Sequence, residues 1–153
     1  MKKVIFTILT MTFLSTTGFS QFKVGAGVNT LFDGGYFGLS AKGHYTINEQ
    51  FAGQASFTYF FEDFSAWNLD LDVHYNGFQI GDLEGFRLTP FAGLNVFRTS
   101  VSIGAITSGD TDLNLNIGMN GTVPITDSLD LYVEPKFIFG DGSTFGIAAG
   151  VYF

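Results

Sequence analysis

Eight ionisable residues of this sequence are spaced so that they could share one enclosed surface. In three short segments they recur at intervals of two, which places their side chains on one face of a β-strand. Apart from two histidines, the set holds three cations and three anions, and that balance suits a buried, mutually neutralising network. The residues are Lys42, His44, Asp70, Asp72, His74, Arg87, Glu134 and Lys136.

A metal centre is another kind of site that such residues could form. Asp70, Asp72 and His74 would point the same way, but positions two apart on a strand are separated by about 6.6 Å along it. That spacing is too wide for one tetrahedral ion unless another strand contributes a ligand. The sequence therefore predicts no metal site and no cofactor, with a site on these three residues as the minor alternative.

The first twenty residues have the pattern of a secretory signal peptide. Two lysines precede an apolar run over residues 4–14, and small residues stand three and one positions before Gln21. The run is shorter than the roughly 20 residues that a transmembrane helix needs, so an uncleaved anchor is the weaker interpretation. We expect residues 1–20 to be removed and residues 21–153 to form one barrel domain.

The composition of that domain is unusual for a surface that faces water. Charged residues make up 14% of the chain, against about 25% in an average soluble domain. Two of the seven Lys and Arg residues lie in the signal segment, so five remain against fourteen Asp and Glu, a net charge of −9. A nucleic-acid partner is therefore not expected. The chain has no cysteine, and hence no disulfide framework.

Alternation with a period of two runs through nearly the whole domain and predicts β-strands. Within each strand, every second residue belongs to one face, or parity. One parity is apolar, and the other holds Gly, Asn, Ser, Thr and the ionisable residues named above. The predicted strand lengths match the roughly 9–11 residues that a tilted strand needs to cross a bilayer. The eight segments lie at about 22–31, 36–46, 51–60, 67–76, 86–98, 111–122, 129–139 and 144–153.

A soluble β-sandwich or lipocalin-like barrel would show the same alternation. A water-facing strand face is usually dense in Lys and Glu, whereas this polar parity is built of small and amide side chains. Aromatic residues gather at both strand ends, as bilayer interfaces favour. Open strand edges cannot lie in hydrocarbon. The sequence therefore predicts an all-β fold, a closed eight-stranded antiparallel up-and-down transmembrane β-barrel with a lumen filled by side chains.

The connections alternate between tight turns and outward loops, and only the outward stretch from Thr99 to Asp110 looks long. The outward end is acidic, with Arg98 as its one cation. Divalent cations could bridge its carboxylates to lipopolysaccharide phosphates, but solvated acidic loops are the simpler interpretation. A protein partner at the third loop is left open. The acidic residues are Asp33, Glu62, Asp63, Asp110, Asp112 and Asp141.

Four segments resemble a known group of proteins: Leu88–Asn95, Leu115–Gly121, Leu131–Phe137 and the ending Gly150–Phe153. They resemble the small outer membrane β-barrel superfamily that includes the OmpA transmembrane domain and OmpX-like proteins, often called the porin family. The resemblance implies a bacterial outer membrane location, reached through the periplasm, in contact with lipopolysaccharide. Val151 and the terminal Phe153 are similar to the signal through which members are recognised by the barrel assembly machinery.

Some barrels of this architecture are lipid A-modifying enzymes, which need a serine and histidine pair at the outer rim. Here both histidines fall on the inward parity near the other end, so the outward serines have no base within reach. We therefore expect a monomer without enzymatic activity. The expected role is structural, in envelope integrity; the alternatives are a narrow conduit for ions or small solutes and a surface binding or adhesion module. The serines are Ser100, Ser102, Ser108 and Ser143.

Overall fold

The computed structural model describes residues 21–62, 65–76, 85–103 and 106–153. The predicted signal segment lies outside these residues. No helix in the described part of the chain is long and apolar enough to span a membrane. The strands are β1 (Phe22–Leu31), β2 (Tyr36–Thr46), β3 (Phe51–Phe61), β4 (Ser65–Tyr75), β5 (Arg87–Ile103), β6 (Ile106–Thr126), β7 (Leu129–Phe139) and β8 (Thr144–Tyr152).

The strands form a closed barrel in which each one pairs with its neighbours in the sequence. All pairs are antiparallel, and β1 closes the ring on β8 in a register that runs from Gly25 opposite Tyr152 to Leu31 opposite Gly146. Closure pairs the two terminal strands, so neither leaves an open edge along the wall. The predicted fold, an eight-stranded up-and-down barrel, is confirmed.

One end of the barrel, the turn end, carries both ends of the domain and the connections that follow β2, β4 and β6; most of the connection after β4, including the turn predicted there, lies outside the described residues. The Asn48 side chain stabilises the first of these turns, because its Oδ1 accepts hydrogen bonds from the backbone N–H groups of Gln50 and Phe51 at 2.9 and 2.8 Å. The opposite end, the loop end, carries the connections that follow β1, β3, β5 and β7.

The outer surface of the wall is a continuous apolar belt. Successive residues of a strand point to opposite faces, and the outward parity of all eight strands carries Phe, Leu, Val, Ile or Tyr. Leu113, Leu115 and Ile117 of β6 are 68%, 57% and 55% exposed. Aromatic rings lie at both margins of the belt: Phe37, Tyr59, Phe61, Trp67, Phe139 and Phe145 at the loop end, and Phe22, Tyr45, Phe51, Tyr75 and Phe153 at the turn end.

The stretch from Thr99 to Asp110 differs from the prediction. It is not a long loop: β5 continues to Ile103, and β6 begins at Ile106, with unbroken pairing between them. The alternating Thr, Ser, Val and Ile residues here favour extended backbone, although their polarity suggested a loop. The other strand bounds lie within four residues of the predicted ones.

This β5–β6 hairpin projects beyond the neighbouring strands. The pairing of β4 with β5 ends at Ser100, and β7 joins β6 only from Leu115 onward. Among the described residues, the side of β6 that faces away from β5 therefore has no strand partner from Ile106 to Asn114. The described part of the barrel thus presents a free strand edge on β6, most of which lies beyond the apolar belt.

The belt gives a direct test of which parity faces lipid. Leu115→Arg places a charge near the middle of β6 on the outward face, where lipid exposure costs about 2–4 kcal/mol for Arg. We expect this variant to fold poorly into lipid vesicles, measured as the heat-modifiable band on unboiled gels. Ser100→Arg is the control, because it adds the same charge on an outward position beyond the belt. Equal folding of both variants would show that the outward parity does not contact lipid.

Candidate functional site

The inward face of the barrel brings most of the predicted ionisable residues together. Lys42, Asp70, Asp72, His74, Glu134 and Lys136 all lie in the lumen and are buried. His44 lies on the same face, half-buried near the turn end. Arg87 is placed apart from them, at the mouth of the turn end, with 54% of its side chain exposed. The buried centre therefore holds two lysines and three carboxyl groups.

Two ion pairs cross the centre of the lumen. Lys136 Nζ lies 2.5 Å from Asp70 Oδ2, and Lys42 Nζ contacts Glu134 Oε2. Each pair joins β7 to a strand that is not its neighbour in the barrel. Charges so deeply buried are strongly disfavoured unless they are paired and hydrogen-bonded, so these contacts make the inward charges compatible with the fold.

Asparagine side chains complete the hydrogen bonding around Asp70. Its Oδ1 accepts from Asn95 Nδ2 at 2.6 Å and from Asn116 Nδ2 at 2.9 Å. Asn116 Nδ2 also donates to Asp72 Oδ1 at 3.1 Å, and Asn114 Nδ2 donates to Asn95 Oδ1 at 3.1 Å. Asp72 has no cation within ion-pair distance in the described part of the chain, so the amide of Asn116 supplies its contact.

Glu134 is the centre of a second group, toward the turn end. Its Oε1 accepts from Gln54 Nε2 at 2.9 Å and from Asn120 Nδ2 at 2.7 Å. The Tyr152 hydroxyl donates to Gln54 Oε1 at 2.6 Å and accepts from Asn120 at 3.1 Å. The ammonium group of Lys42 lies 4.3 Å from the centre of the Tyr132 ring, a cation–π distance.

Small residues of the wall give these side chains their room. A Cβ atom at Gly27 or Gly150 would lie 2.3 or 2.8 Å from the Tyr132 hydroxyl oxygen, closer than van der Waals contact permits. A narrow barrel has to alternate small and large inward residues in this way. The high glycine content of the sequence is therefore part of how the lumen is filled.

The loop end of the lumen is closed by an apolar cluster above the charges. Leu31, Phe60, Ala66 and Ile138 are buried together, and Tyr36 and Phe97 pack against them. A cavity of about 320 Å³ opens beside this cluster, and Asp33, Asp112 and Asn114 are among the residues that line it. The lumen thus carries an apolar layer over a charged one.

The turn end holds a second ionic group that includes two residues absent from the sequence prediction. Lys23 contacts Asp130 Oδ2, and Arg87 Nη2 lies 3.4 Å from the same oxygen. Lys23 and Asp130 fall on the inward parity near strand ends, so the alternation would have identified them. With these contacts, each ion pair of the described residues includes a residue of β7.

The structure offers little geometry for a metal or for hydrolytic chemistry. The described residues include no group of three or more His, Cys, Asp or Glu side chains that could hold a metal ion. His74 stacks on Phe91, with ring centres 4.9 Å apart, rather than approaching a carboxylate. Ser100, Ser108 and Ser143 lie toward the loop end, whereas both histidines line a cavity at the turn end.

The predicted assembly residues lie on the outside of β8 and at its end. Val151 faces outward, and Phe153 is exposed at the turn end. The backbone N–H of Phe153 donates to the carbonyl oxygen of Val24 at 2.8 Å, which extends the pairing of β8 with β1 to the last residue. Of the predicted acidic rim, Asp63 lies outside the described residues.

Comparison with known proteins gives structural relatives only. No protein-family model matches the sequence, and no curated protein matches it either. The N-terminal β-barrel domain of Pseudomonas aeruginosa OprF superposes with a TM-score of 0.72 at 16% identity, over 87% of this chain and 96% of that one.

Two further solved structures are similar. Neisserial surface protein A (NspA) has a TM-score of 0.62 at 18% identity and covers 86% of this chain and 94% of that one. Ail, the attachment invasion locus protein of Yersinia pestis, has a TM-score of 0.54 at 16% identity and covers 87% and 97%. At these identities the likeness shows the fold, and the chain therefore has the fold of the small eight-stranded outer membrane β-barrels.

Proposed function

We propose that this protein is a monomeric, integral β-barrel of the bacterial outer membrane with a structural role in the envelope. The observation that carries the proposal is the placement of apolar and charged side chains, which is the reverse of that in a soluble protein. An apolar belt with aromatic margins lies outside, and paired charges lie inside. Such a belt is far larger than the apolar patches that soluble proteins expose. It suits the hydrocarbon layer and its two interfaces.

The projecting β5–β6 hairpin supports one orientation. Outer membrane barrels carry their longer chain excursions on the extracellular side, and this hairpin extends beyond the neighbouring strands, so the turn end would face the periplasm and the hairpin the outside. The outward-facing end would then meet lipopolysaccharide. Export through the periplasm, cleavage before Gln21 and recognition of Phe153 by the assembly machinery are parts of the same proposal.

The side chains that fill the lumen favour a closed barrel rather than a conduit. The ion pairs of Lys42 and Lys136, together with the asparagines around them, lie between the cavities at the two ends. An eight-stranded barrel is only wide enough for its side chains to fill it. We therefore infer that the charged layer acts as a plug that contributes to stability and blocks passage.

A second candidate, a surface binding module, is favoured by the free edge of the β5–β6 hairpin. An unpaired strand edge can accept an extended segment of another protein through backbone hydrogen bonds. Most of the free edge on β6 lies beyond the belt, where a membrane barrel would meet the medium. Ail, named for attachment and invasion, has the same fold, but its identity to this chain is too low to transfer that role.

Location and closure can be tested on the expressed protein. We expect it in the outer membrane fraction, with a band whose mobility changes on boiling, and with no ion conductance after insertion into planar bilayers. A soluble periplasmic protein would contradict the membrane assignment. Steady single-channel conductance would contradict the plug and favour the conduit.

The plug predicts a large effect of Glu134→Ala. The substitution leaves Lys42, whose side chain is 3% exposed, without its carboxylate partner and removes the acceptor of Gln54 and Asn120. Breaking a buried pair on one side costs about 3–5 kcal/mol, so we expect a clearly lower urea midpoint of the folded barrel. Glu49→Ala, the same change in an exposed turn, should leave the midpoint unchanged. Equal midpoints for the two variants would contradict the plug.

The binding module predicts a loss of adherence without a loss of folding. Replacing residues 99–110 by a two-residue turn removes the projecting part of the hairpin and keeps the belt. If the free edge binds another surface, cells with the shortened protein should adhere less than wild-type cells while the heat-modifiable band persists. Adherence equal to that of wild-type cells would exclude this hairpin as the binding element.

A further inference from the structure

The cavity at the turn end is not explained by the plug. It has a volume of about 300 Å³, at the lower end of the range for small-molecule sites, and opens to the medium at the mouth of the barrel. Cationic and imidazole side chains line it together with one tyrosine and one buried carboxylate. The residues that matter here are Lys23, His44, His74, Arg87, Asp130 and Tyr152.

The described part of the mouth of this cavity is rich in cationic hydrogen-bond donors. Lys23 and Arg87 share one oxygen of Asp130, so two positive charges face a single buried carboxylate. An ammonium group has three N–H donors and a guanidinium group has five. Asp130 takes one donor from each, so both groups keep donors for a further acceptor. Glu49 also lines the cavity, but none of the ion pairs of the described residues joins it to Lys23 or Arg87.

The inner wall of the cavity contains polar atoms without partners. His74 is completely buried, and among the described residues neither of its ring nitrogens has a hydrogen-bond partner; Nδ1 of His44 has none there either. Packing holds the two rings in place, since His74 stacks on Phe91 and meets the His44 ring edge-on at 5.2 Å. A buried polar group without a partner costs free energy, and the cavity is where a partner could enter.

We propose that this cavity binds a small molecule through an anionic oxygen group, a carboxylate or a phosphate. Lys23 and Arg87 would donate charge-assisted hydrogen bonds to its oxygens, and an imidazole N–H of the half-buried His44, backed by His74, would donate from the inner wall. Charge-assisted bonds of this kind are the strong ones, and a guanidinium fork matches both oxygen groups. Binding depends on this geometry and not on which side of a membrane the turn end faces.

A divalent metal ion fits the same cavity less well. The two histidines have no third ligand close enough to complete a site among the described residues. The ammonium group of Lys23 and the guanidinium group of Arg87 carry only hydrogen-bond donors, which suit an oxyanion and cannot ligate a metal ion. The donors at the mouth therefore favour an anion over a metal.

The test uses the barrel in lipid nanodiscs with ¹⁵N-labelled histidine side chains. Sodium phosphate and sodium acetate are titrated separately at constant ionic strength, with sodium chloride as the control salt. We expect saturable shifts of the His44 and His74 ring signals with at least one of the two anions and none with chloride. A response to phosphate alone or to acetate alone identifies the oxygen group, and a response to both identifies a general oxyanion site.

Variants at the two ends of the barrel make the test specific. Arg87→Gln should weaken binding by about tenfold or more, as expected for the loss of a charge-assisted contact. Arg98→Gln, at an outward position toward the loop end, should bind as wild type. Lys23→Gln serves as the second variant if Arg87→Gln does not give a heat-modifiable band. Unchanged histidine signals with both anions, equal affinity in the variants, or shifts with zinc chloride but not with phosphate or acetate would overturn the proposal.

Discussion

The closure of the wall, in which the first strand pairs with the last, is the constraint on which the other features of this structure depend. A β-sheet in hydrocarbon cannot leave backbone N–H and C=O groups unpaired, and eight strands are enough to close the ring here. Closure fixes a narrow interior. Every inward side chain must then be accommodated in a confined space, where room and hydrogen-bonding partners are both limited.

That confinement explains the composition of the lumen. A carboxylate such as Asp70 requires a cation and further donors, which Lys136, Asn95 and Asn116 supply. Amides are well suited to this role because each one can donate and accept. Bulky rings such as Tyr132 fit only where the adjoining strands have glycine. The inward parity therefore combines glycine, amides and a few charges, and it has little in common with a water-exposed strand face.

The alternation of the sequence was sufficient to predict the strands, their inward and outward faces and the number of strands, because each is set by side chains close together in the chain. The ion pairs were not predictable in the same way. Glu134 and Lys136 are neighbours on one strand, yet they contact Lys42 and Asp70 on two different strands. Such pairings depend on the register of the strands around the closed barrel, which no local sequence pattern indicates.

The β5–β6 hairpin was missed for a different reason. Beyond the belt a strand faces neither lipid nor lumen, so its residues need not alternate between apolar and polar. Polar residues there are therefore as compatible with a loop as with a strand. Lys23 and Asp130 lie on the inward parity but were not predicted, because a charge near a strand end can lie at the aqueous interface as well as in the lumen. The imidazole pair at the turn end carries no sequence signal beyond its parity, since the contact between His44 and His74 depends on how two strands are placed in the ring.

The distribution of the ion pairs has a consequence for biogenesis. β7 supplies Asp130, Glu134 and Lys136, and their partners lie on β1, β2, β4 and β5. The hairpin of β7 and β8 therefore has two tasks, since β7 neutralises the interior and β8 closes the wall on β1. A barrel without this hairpin would be open along one edge and would hold unpaired charges in its interior, so neither defect could arise without the other.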